Sequence, residues 1–235
     1  VGYFDSSAGR QGFLLKNGIY TAIAVPGATQ TLASGINDAE QIVGFFQSSS
    51  GQRRGFLLSG GIFTYIDYPG ASHTHARGIN NGGAIVGSYE GGGTSHGFSL
   101  VAGAYTSIDV PGSNYAQAIG INSAGTISGF HYDSSTVPVI VKGFRLENGA
   151  FTNISFPGAI ETYAHGINDA GVVTGHLGGG IGFLEQQGGV FTTFQVPGAA
   201  ETSGANISNA NHIVGASRSP GQPVVGFLAT PGMTY

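Results

Sequence analysis

Short apolar segments follow one another along the whole chain, separated by turns rich in Gly, Asn, Asp, Ser and Pro. The segments are rich in Ile, Val, Phe, Tyr and Thr, which is typical of β-strands. No stretch keeps a 3.6-residue apolar period over about ten residues, so the pattern predicts almost no helix. The hydrophobic pattern therefore predicts an all-β protein.

The segments belong to a repeat of about 43 residues. A Gly-Phe dipeptide recurs at separations of 43, 42, 46, 39 and 44 residues. Its phenylalanines are Phe13, Phe56, Phe98, Phe144, Phe183 and Phe227. From the glycine of each Pro-Gly to the glycine of the next Val-Gly-type pair the step is always 17, whereas from there to the next Gly-Phe it varies from 7 to 14. One surface loop per repeat thus absorbs the insertions and deletions.

Each repeat contains four predicted strands, which we call a to d. In the second copy strand c covers residues 55–58, d 62–68, a 74–80 and b 84–89. Four short antiparallel strands per repeat indicate a β-propeller of four-stranded blades, and a stacked β-solenoid is the alternative. The total of 22 predicted strands favours five blades with an overlap, while six blades that lack two strands are possible.

The repeats cover residues 1–235, which predicts a single propeller domain. The first residue is Val1 rather than Met, and it lies inside a predicted strand. We therefore expect a processed or trimmed chain, which leaves room for a missing upstream strand.

Composition removes several classes of function. The chain has 43 Gly, no Cys and only 8 basic against 12 acidic residues. Without Cys there are no disulfides and no thiolate metal sites. Scattered basic residues and a net charge of −4 predict no nucleic-acid partner. No apolar run approaches the roughly 18 residues of a membrane-spanning helix, so we expect no membrane insertion.

The repeats follow one sequence pattern. It begins with Gly-Phe-x-x-x-x-Gly-x-Phe/Tyr-Thr-x-Ile-Asp-x-Pro-Gly-Ala and continues with Gly-Ile-Asn-Asp-x-Gly-x-Ile-Val-Gly. This pattern resembles the HAF-type extracellular repeat of bacterial secreted proteins. The resemblance covers essentially the whole chain. Glu40 in place of a turn glycine and Asn206-Ile207-Ser208 in place of Gly-Ile-Asn depart from it. It implies a bacterial β-propeller that is secreted or on the cell surface, and it implies no catalytic residue.

The residues that recur in every repeat are first interpreted as structural, that is, as residues that pack the core or close turns. The Gly-Phe phenylalanines are expected to fill the space between blades, with a stacking platform for sugars or bases as the alternative. Asn37, Asn80 and Asn168 are expected to close turns; a calcium site would need more carboxylates than these turns offer. His73 and His75 have no partner at metal-ligand spacing. We predict no metal and no cofactor.

Candidate binding residues come from the positions of strand a that differ between repeats. Two such columns flank a column of small residues. The first contains Leu32, His75, Gln117, Tyr163 and Ser203, and the second Ser34, Arg77, Ile119, His165 and Ala205. Alternation in a strand puts both columns on one face, which would line the central channel or its mouth. The predicted ligand-binding residues are His75, Arg77, Gln117, Tyr163 and His165; simple drift of a channel lining is the alternative.

The variable b–c loops and the start of strand a are expected at one end of the blades. The longest of these loops covers residues 131–142. The prediction is a secreted, non-catalytic module that binds an extracellular glycan or polymer, or acts as a scaffold that assembles with copies of itself by β-augmentation. The alternative is an extracellular enzyme that cleaves a polysaccharide or other polymer with His75, Arg77, Tyr163 and His165. The sequence places no pair of catalytic carboxylates for it.

Overall fold

The structure, a computed structural model, describes residues 1–7 and 9–231. These residues form 22 β-strands in six antiparallel sheets, which are the blades of a β-propeller. The described residues contain no helix, and hence none that could cross a membrane. The all-β propeller prediction is confirmed. The chain divides into two compact units, Val1–Ile108 and Asp109–Tyr235, and the prediction of a single domain stays a prediction.

The first unit contains three sheets: sheet 1 (β1–β3), sheet 2 (β4–β7) and sheet 3 (β8–β11). The strands are β1 (Gly2–Ser6), β2 (Gly9–Lys16), β3 (Ile19–Ile23), β4 (Gln30–Ile36), β5 (Ile42–Gln47), β6 (Arg53–Ser59), β7 (Ile62–Ile66), β8 (His73–Ile79), β9 (Ile85–Gly91), β10 (Thr94–Val101) and β11 (Ala104–Ile108).

The second unit contains sheet 4 (β12–β15), sheet 5 (β16–β19) and sheet 6 (β20–β22). The strands are β12 (Ala116–Ile121), β13 (Ile127–Asp133), β14 (Ile140–Glu147), β15 (Ala150–Ile154), β16 (Thr162–Ile167), β17 (Val173–Leu177), β18 (Ile181–Gln186), β19 (Val190–Phe194), β20 (Glu201–Ile207), β21 (Ile213–Arg218) and β22 (Val225–Ala229).

The number of blades is six. Sheets 2 to 5 each run a-b-c-d. Among residues 1–7 and 9–231, sheet 1 contains only b-c-d, and sheet 6 only a-b-c. The favoured number of five is therefore wrong, and six blades that lack two strands are what the structure shows. The reason is that strand a pairs with the b strand that follows it, while the Pro-Gly connection passes the chain from strand d to the next sheet.

The Pro-Gly connection is a type II turn. Pro26 supplies the fixed φ of its second position, and Gly27 the positive φ of 76° that its third position requires. The N–H of Ala28 donates to the carbonyl of Val25 at 3.1 Å. Thr31, in strand a, accepts a hydrogen bond from the N–H of Val25 at 3.0 Å. The turn thus fixes where each strand a begins.

The Gly-Phe phenylalanines form the core between consecutive sheets. Phe56, Phe98, Phe144 and Phe183 are 0% exposed. Phe56, for example, packs with Ile23 of the preceding sheet. The prediction that these rings fill the space between blades is confirmed for Phe56, Phe98 and Phe183, which pack with residues of the preceding sheet. All four rings are fully buried, so they cannot also form a binding platform.

The Gly-Ile-Asn asparagines close the a–b turns, as expected. The carboxamide oxygen of Asn80 accepts the N–H of Ala84 at 3.0 Å. The same side chains also join neighbouring sheets, which the sequence did not indicate: Asn37 Nδ2 donates to the carbonyl of Asn80 at 3.1 Å. In the second unit Asn122 donates to the carbonyl of Asn168 at 3.2 Å. The parts of the chain that the structure describes hold no group of three metal-ligating side chains.

A buried ion pair joins sheets 4 and 5. Arg145 Nη2 donates to Glu185 Oε2 at 2.7 Å and to the carbonyl of Gly171 at 2.8 Å. Arg145 is 5% and Glu185 3% exposed. Leu14 and Leu58, which occupy the same two repeat positions in sheets 1 and 2, pack against one apolar cluster. The ion pair therefore stands where an apolar pair is used elsewhere in the chain.

Candidate functional site

The two varied columns of strand a differ in backbone geometry. In all five a strands the register shifts beside the second column; in β8, for example, the shift lies between Ala76 and Gly78, at Arg77. Such a β-bulge re-aims the side chain that it carries. The small residues between the columns are buried, and Ala76, Ala118 and Ala164 are 0% exposed. The second column is therefore set by the bulge, and the expectation that both columns lie on one face stays a prediction.

In the first unit His75 and Arg77 meet at Phe45, on strand b of the preceding sheet. The His75 ring lies 4.4 Å from the Phe45 ring, and the Arg77 guanidinium carbon 5.4 Å from it. His75 is only 7% exposed, so it is largely shielded from water, although its column was expected to line the central channel or its mouth. Burial, and then the charge of Arg77, lower the pKa of His75 to about 3. Its Nε2 atom has no hydrogen-bond partner among the described residues.

The burial of His75 predicts a loss of stability in acid. The unfolded chain gains a proton near the ordinary histidine pKa of about 6.5, whereas the folded chain gains it only at about 3. Stability is therefore complete above about pH 6.5 and falls by about 1.4 kcal/mol per pH unit as the pH drops through this window. His75→Leu should remove this slope, because leucine has no group that takes up a proton. Leucine should also fit at this position, since Leu32 occupies the same column at the same 7% exposure.

Urea unfolding of both proteins at pH 7.5 and pH 4.5 measures the difference. The remaining slope of the variant reports other groups, since burial also lowers the pKa of His131 and His176. Equal slopes in the two proteins would contradict the assignment to His75.

In the second unit five half-buried rings lie together, four of them on strands a and b and Tyr115 directly before strand a. We call Tyr115, Phe130, Tyr132, Tyr163 and His176 the aromatic cluster. Tyr115 and Tyr132 stack at 4.2 Å and 11°, and Tyr163 and His176 at 4.7 Å and 12°. Phe130 connects the two pairs, since its ring meets Tyr163 edge-on at 5.0 Å. The cluster therefore presents flat rings, each with part of its surface in water.

Polar groups border the aromatic cluster. Gln117 Nε2 donates to the hydroxyl of Tyr115 at 2.6 Å. Ser203 Oγ lies 3.0 Å from Nδ1 of His176. His165, which lies in the bulge, donates from Nδ1 to the carbonyl of Gly204 at 2.9 Å, and its ring centre is 5.1 Å from that of His176.

Two ionisable rings of the aromatic cluster, Tyr163 and His176, have pKa values shifted toward their neutral forms. Burial raises the pKa of Tyr163, and the nearby Glu161 adds to the effect. Burial lowers the pKa of His176, against the opposing influence of Glu201. At neutral pH both rings are therefore uncharged.

The longest b–c loop lies next to the aromatic cluster. The N–H of Tyr132 donates to the carbonyl of Tyr115 at 3.0 Å, and Ser134 Oγ donates to the carbonyl of Gly112 at 3.2 Å. The end of strand b is thus joined to the segment that leads into strand a. This confirms that b–c loops and the start of strand a share one end of a sheet.

The structure gathers Gln117, Tyr163 and His165 around the aromatic cluster, and places His75 and Arg77 together in the other unit. Sequence reasoning missed Tyr115, which precedes strand a, and the ring-bearing residues of strand b. A signal for the latter was available: the position after each Val-Gly-type glycine varies strongly between repeats. Its residues are Tyr3, Phe45, Ser88, Phe130, His176 and Ala216.

No protein-family model matches this chain, and no curated protein matches it in sequence. Solved structures resemble it in fold. TolB from Acinetobacter baumannii has a TM-score of 0.70 at 11% identity over 97% of this chain, which spans 60% of the TolB chain. A streptogramin B lyase has a TM-score of 0.56 at 15% identity, with 97% and 78% of the two chains covered. A triple arginine-to-alanine mutant of AofleA from Arthrobotrys oligospora has a TM-score of 0.55 at 11% identity, with 98% and 79% covered. At these identities the similarity shows the β-propeller fold alone.

Proposed function

We propose that this chain is a non-catalytic binding module and that its second unit binds carbohydrate at the aromatic cluster. The observation that carries the proposal is the set of half-buried rings in two stacked pairs bridged by Phe130. The face of a pyranose ring carries C–H groups with partial positive charge, which are attracted to the negative faces of aromatic rings. Rings held by neighbours in the folded state offer such a face with little loss of side-chain entropy.

Hydrogen-bonding groups lie at the rim of these rings, as a sugar site requires. Gln117 and the Tyr115 hydroxyl already bond to each other, so both are oriented before a ligand arrives. Ser203 and His176 form a second such pair. Binding sites of this kind combine a mainly apolar surface with a few placed polar groups.

The charges near the aromatic cluster favour a neutral glycan. Asp133 pairs with Lys142 at 2.6 Å, and Glu201 pairs with Arg218. Glu161 lies close enough to Tyr163 to raise its pKa. Asp133 and Glu201 are thus matched by cations, so Glu161 is the charge that would repel a polymer of uronic acids, whereas a hexose polymer carries no charge to repel.

We further propose that the protein is secreted or on the surface of a bacterial cell. The resemblance of its repeats to the HAF-type extracellular repeat supports this, as does its low content of charged residues. An extracellular glycan would be available to the aromatic cluster in that location.

Affinity gel electrophoresis tests the proposal with neutral polysaccharides (β-glucan, galactomannan and starch) and acidic ones (alginate and polygalacturonate). We expect a neutral polysaccharide to retard the protein, and Tyr163→Ala to weaken that binding by about tenfold or more, a loss on the scale of one stacking contact. Tyr20→Ala is the matched control, because Tyr20 is an exposed tyrosine of the first unit. It should bind as the parent does.

Loss of binding counts only if Tyr163→Ala melts at the temperature of the parent protein. Binding that both tyrosine variants retain would exclude the aromatic cluster as the site. Retardation by none of the five polysaccharides would remove the support for a glycan-binding role.

One contact favours an enzyme as a second candidate. The Ser203 hydroxyl can donate to Nδ1 of His176, and burial keeps this histidine neutral and able to accept a proton. An ester on an extracellular polymer would then be the substrate, with Ser203 Oγ as the nucleophile. Titration of the acid released from an acetylated polysaccharide, added to the same screen, checks this; release that stops in Ser203→Ala would show an enzyme.

A further inference from the structure

β7, the outer strand of sheet 2, has one edge that no other described strand covers. Sheet 2 is complete with four strands, and β7 pairs in it with β6 alone. From Ile62 to Ile66 the sequence of β7 is Ile-Phe-Thr-Tyr-Ile, with neither a charged residue nor a proline. Edge strands usually carry such residues, because they prevent pairing with another chain. The edge of β7 is therefore suited to accept a further strand.

The turn before β7 determines which main-chain groups point to this edge. Gly60 and Gly61 connect β6 to β7 in a two-residue turn with φ of 56° and 82°. A two-residue turn with positive φ at both positions closes on a hydrogen-bonded pair, and bonded and non-bonded pairs then alternate along the hairpin. Every second residue of β7, beginning with Ile62, thus bonds to β6. The N–H and carbonyl groups of Phe63 and Tyr65 point to the free edge.

The sequence of β7 is nearly symmetric about Thr64. When two β7 strands pair antiparallel around this residue, Phe63 of each copy lies opposite Tyr65 of the other. Ile62 then lies opposite Ile66. This register makes Phe63 and Tyr65 a hydrogen-bonded pair, as their outward main-chain groups require, and aromatic pairs across strands are favourable. The outer strands of the other sheets lack this symmetry, since opposite their aromatic residue they would place Ala22, Ser107, Asn153 or Thr193.

Pairing of two β7 strands covers apolar surface and brings no like charges together. Ile62 is 71% and Tyr65 44% exposed. The charged residues beside this edge are Arg54 and Asp67, and Arg54 Nε donates to Asp67 Oδ1 at 2.9 Å within one copy. In the register centred on Thr64, Asp67 lies opposite Gly61 of the second copy. The charges of the edge are therefore compatible with an identical edge.

We propose that two copies of this chain associate through β7 and join their second sheets into one continuous antiparallel sheet. The twofold axis passes between the two Thr64 residues, and the same strand of both copies forms the contact. Main-chain hydrogen bonds of Phe63 and Tyr65 hold the two strands together, and the aromatic side chains select the register. The contact involves only the first unit and does not depend on the proposed glycan site.

Sedimentation velocity of the full chain tests the proposal, and the parent protein should show a concentration-dependent dimer. Thr64→Lys should raise the dissociation constant of this dimer by about tenfold or more, because two ammonium groups would face each other across the axis. Thr64→Glu should do the same with two carboxylates. An equimolar mixture of the two variants should recover the dimer, because opposite charges then meet. Thr152→Lys, the same change at the same position of β15, is the matched control and should dimerise as the parent does.

Both Thr64 variants should keep the melting temperature of the parent, since Thr64 is exposed in the single chain. If one of them melts earlier, the mixture still decides, because only the pairing of opposite charges can restore a dimer. A parent that stays a monomer up to about 0.3 mM would overturn the proposal, as would a Thr64→Lys dimer as tight as that of the parent. A mixture that stays monomeric would overturn the register centred on Thr64. Tyr163→Ala should dimerise normally, which separates this contact from the proposed glycan site.

Discussion

Arg145→Leu is expected to lower the free energy of unfolding by about 3–5 kcal/mol, because it leaves Glu185 as a buried charge without its partner. Glu185 is 3% exposed, so water cannot replace the guanidinium. Glu185→Leu should cost a similar amount, since it strands Arg145 in the same way. Urea denaturation followed by circular dichroism measures both values.

The double variant Arg145→Leu/Glu185→Leu should recover most of this loss. Replacing a buried ion pair by apolar residues is often neutral or stabilising, because the desolvation of both charges is avoided. The first unit already has leucines at these two repeat positions. Leu14 corresponds to Arg145 and Leu58 to Glu185, and both leucines pack against one apolar cluster. A double variant as unstable as either single variant would show that the ion pair itself, and not the stranded charge, stabilises the interface.

Gly175→Ala is expected to destabilise the protein by about 3 kcal/mol or more, at the upper end of overpacking effects. The added Cβ would lie 1.9 Å from the carbonyl oxygen of Tyr163 and 3.0 Å from the ring of Phe183. Both atoms belong to the core of sheet 5, so strand a would have to move away from strand b.

Gly226→Ala is the matched control for this change. It is the same substitution inside a strand of the same unit, but its Cβ would lie 3.8 Å from the nearest atom of the described residues. It should be neutral or slightly stabilising, because alanine is less flexible than glycine in the unfolded chain. Thermal unfolding of the two variants separates crowding from a general effect of alanine. Equal losses in both would contradict the steric explanation.

The sequence by itself was sufficient to predict the strands and the β-propeller fold class. Apolar alternation, β-branched and aromatic residues, and Pro-Gly turns are local features, and each acts within one hairpin. Gly27 at a positive φ after Pro26 illustrates this, because the turn type follows from two residues alone. The role of the Gly-Phe phenylalanines could also be predicted, because the spacing of the repeat puts one such ring in each sheet.

Part of the candidate site could be predicted as well. The varied columns of strand a contain Gln117, Tyr163 and His165, which the structure gathers around the aromatic cluster. The same columns contain His75, which is largely shielded from water because Phe45, on the neighbouring sheet, packs against it. A column shows which strand face a side chain belongs to, but it does not show what covers that face.

Only the tertiary structure decided which residues meet between sheets. It grouped the strands into six sheets rather than five, placed a bulge in every strand a, and joined Arg145 to Glu185 across two repeats. The physical reason is range: hairpins and turns are set by neighbours along the chain, whereas these contacts join residues that approach one another only after the sheets have formed and packed.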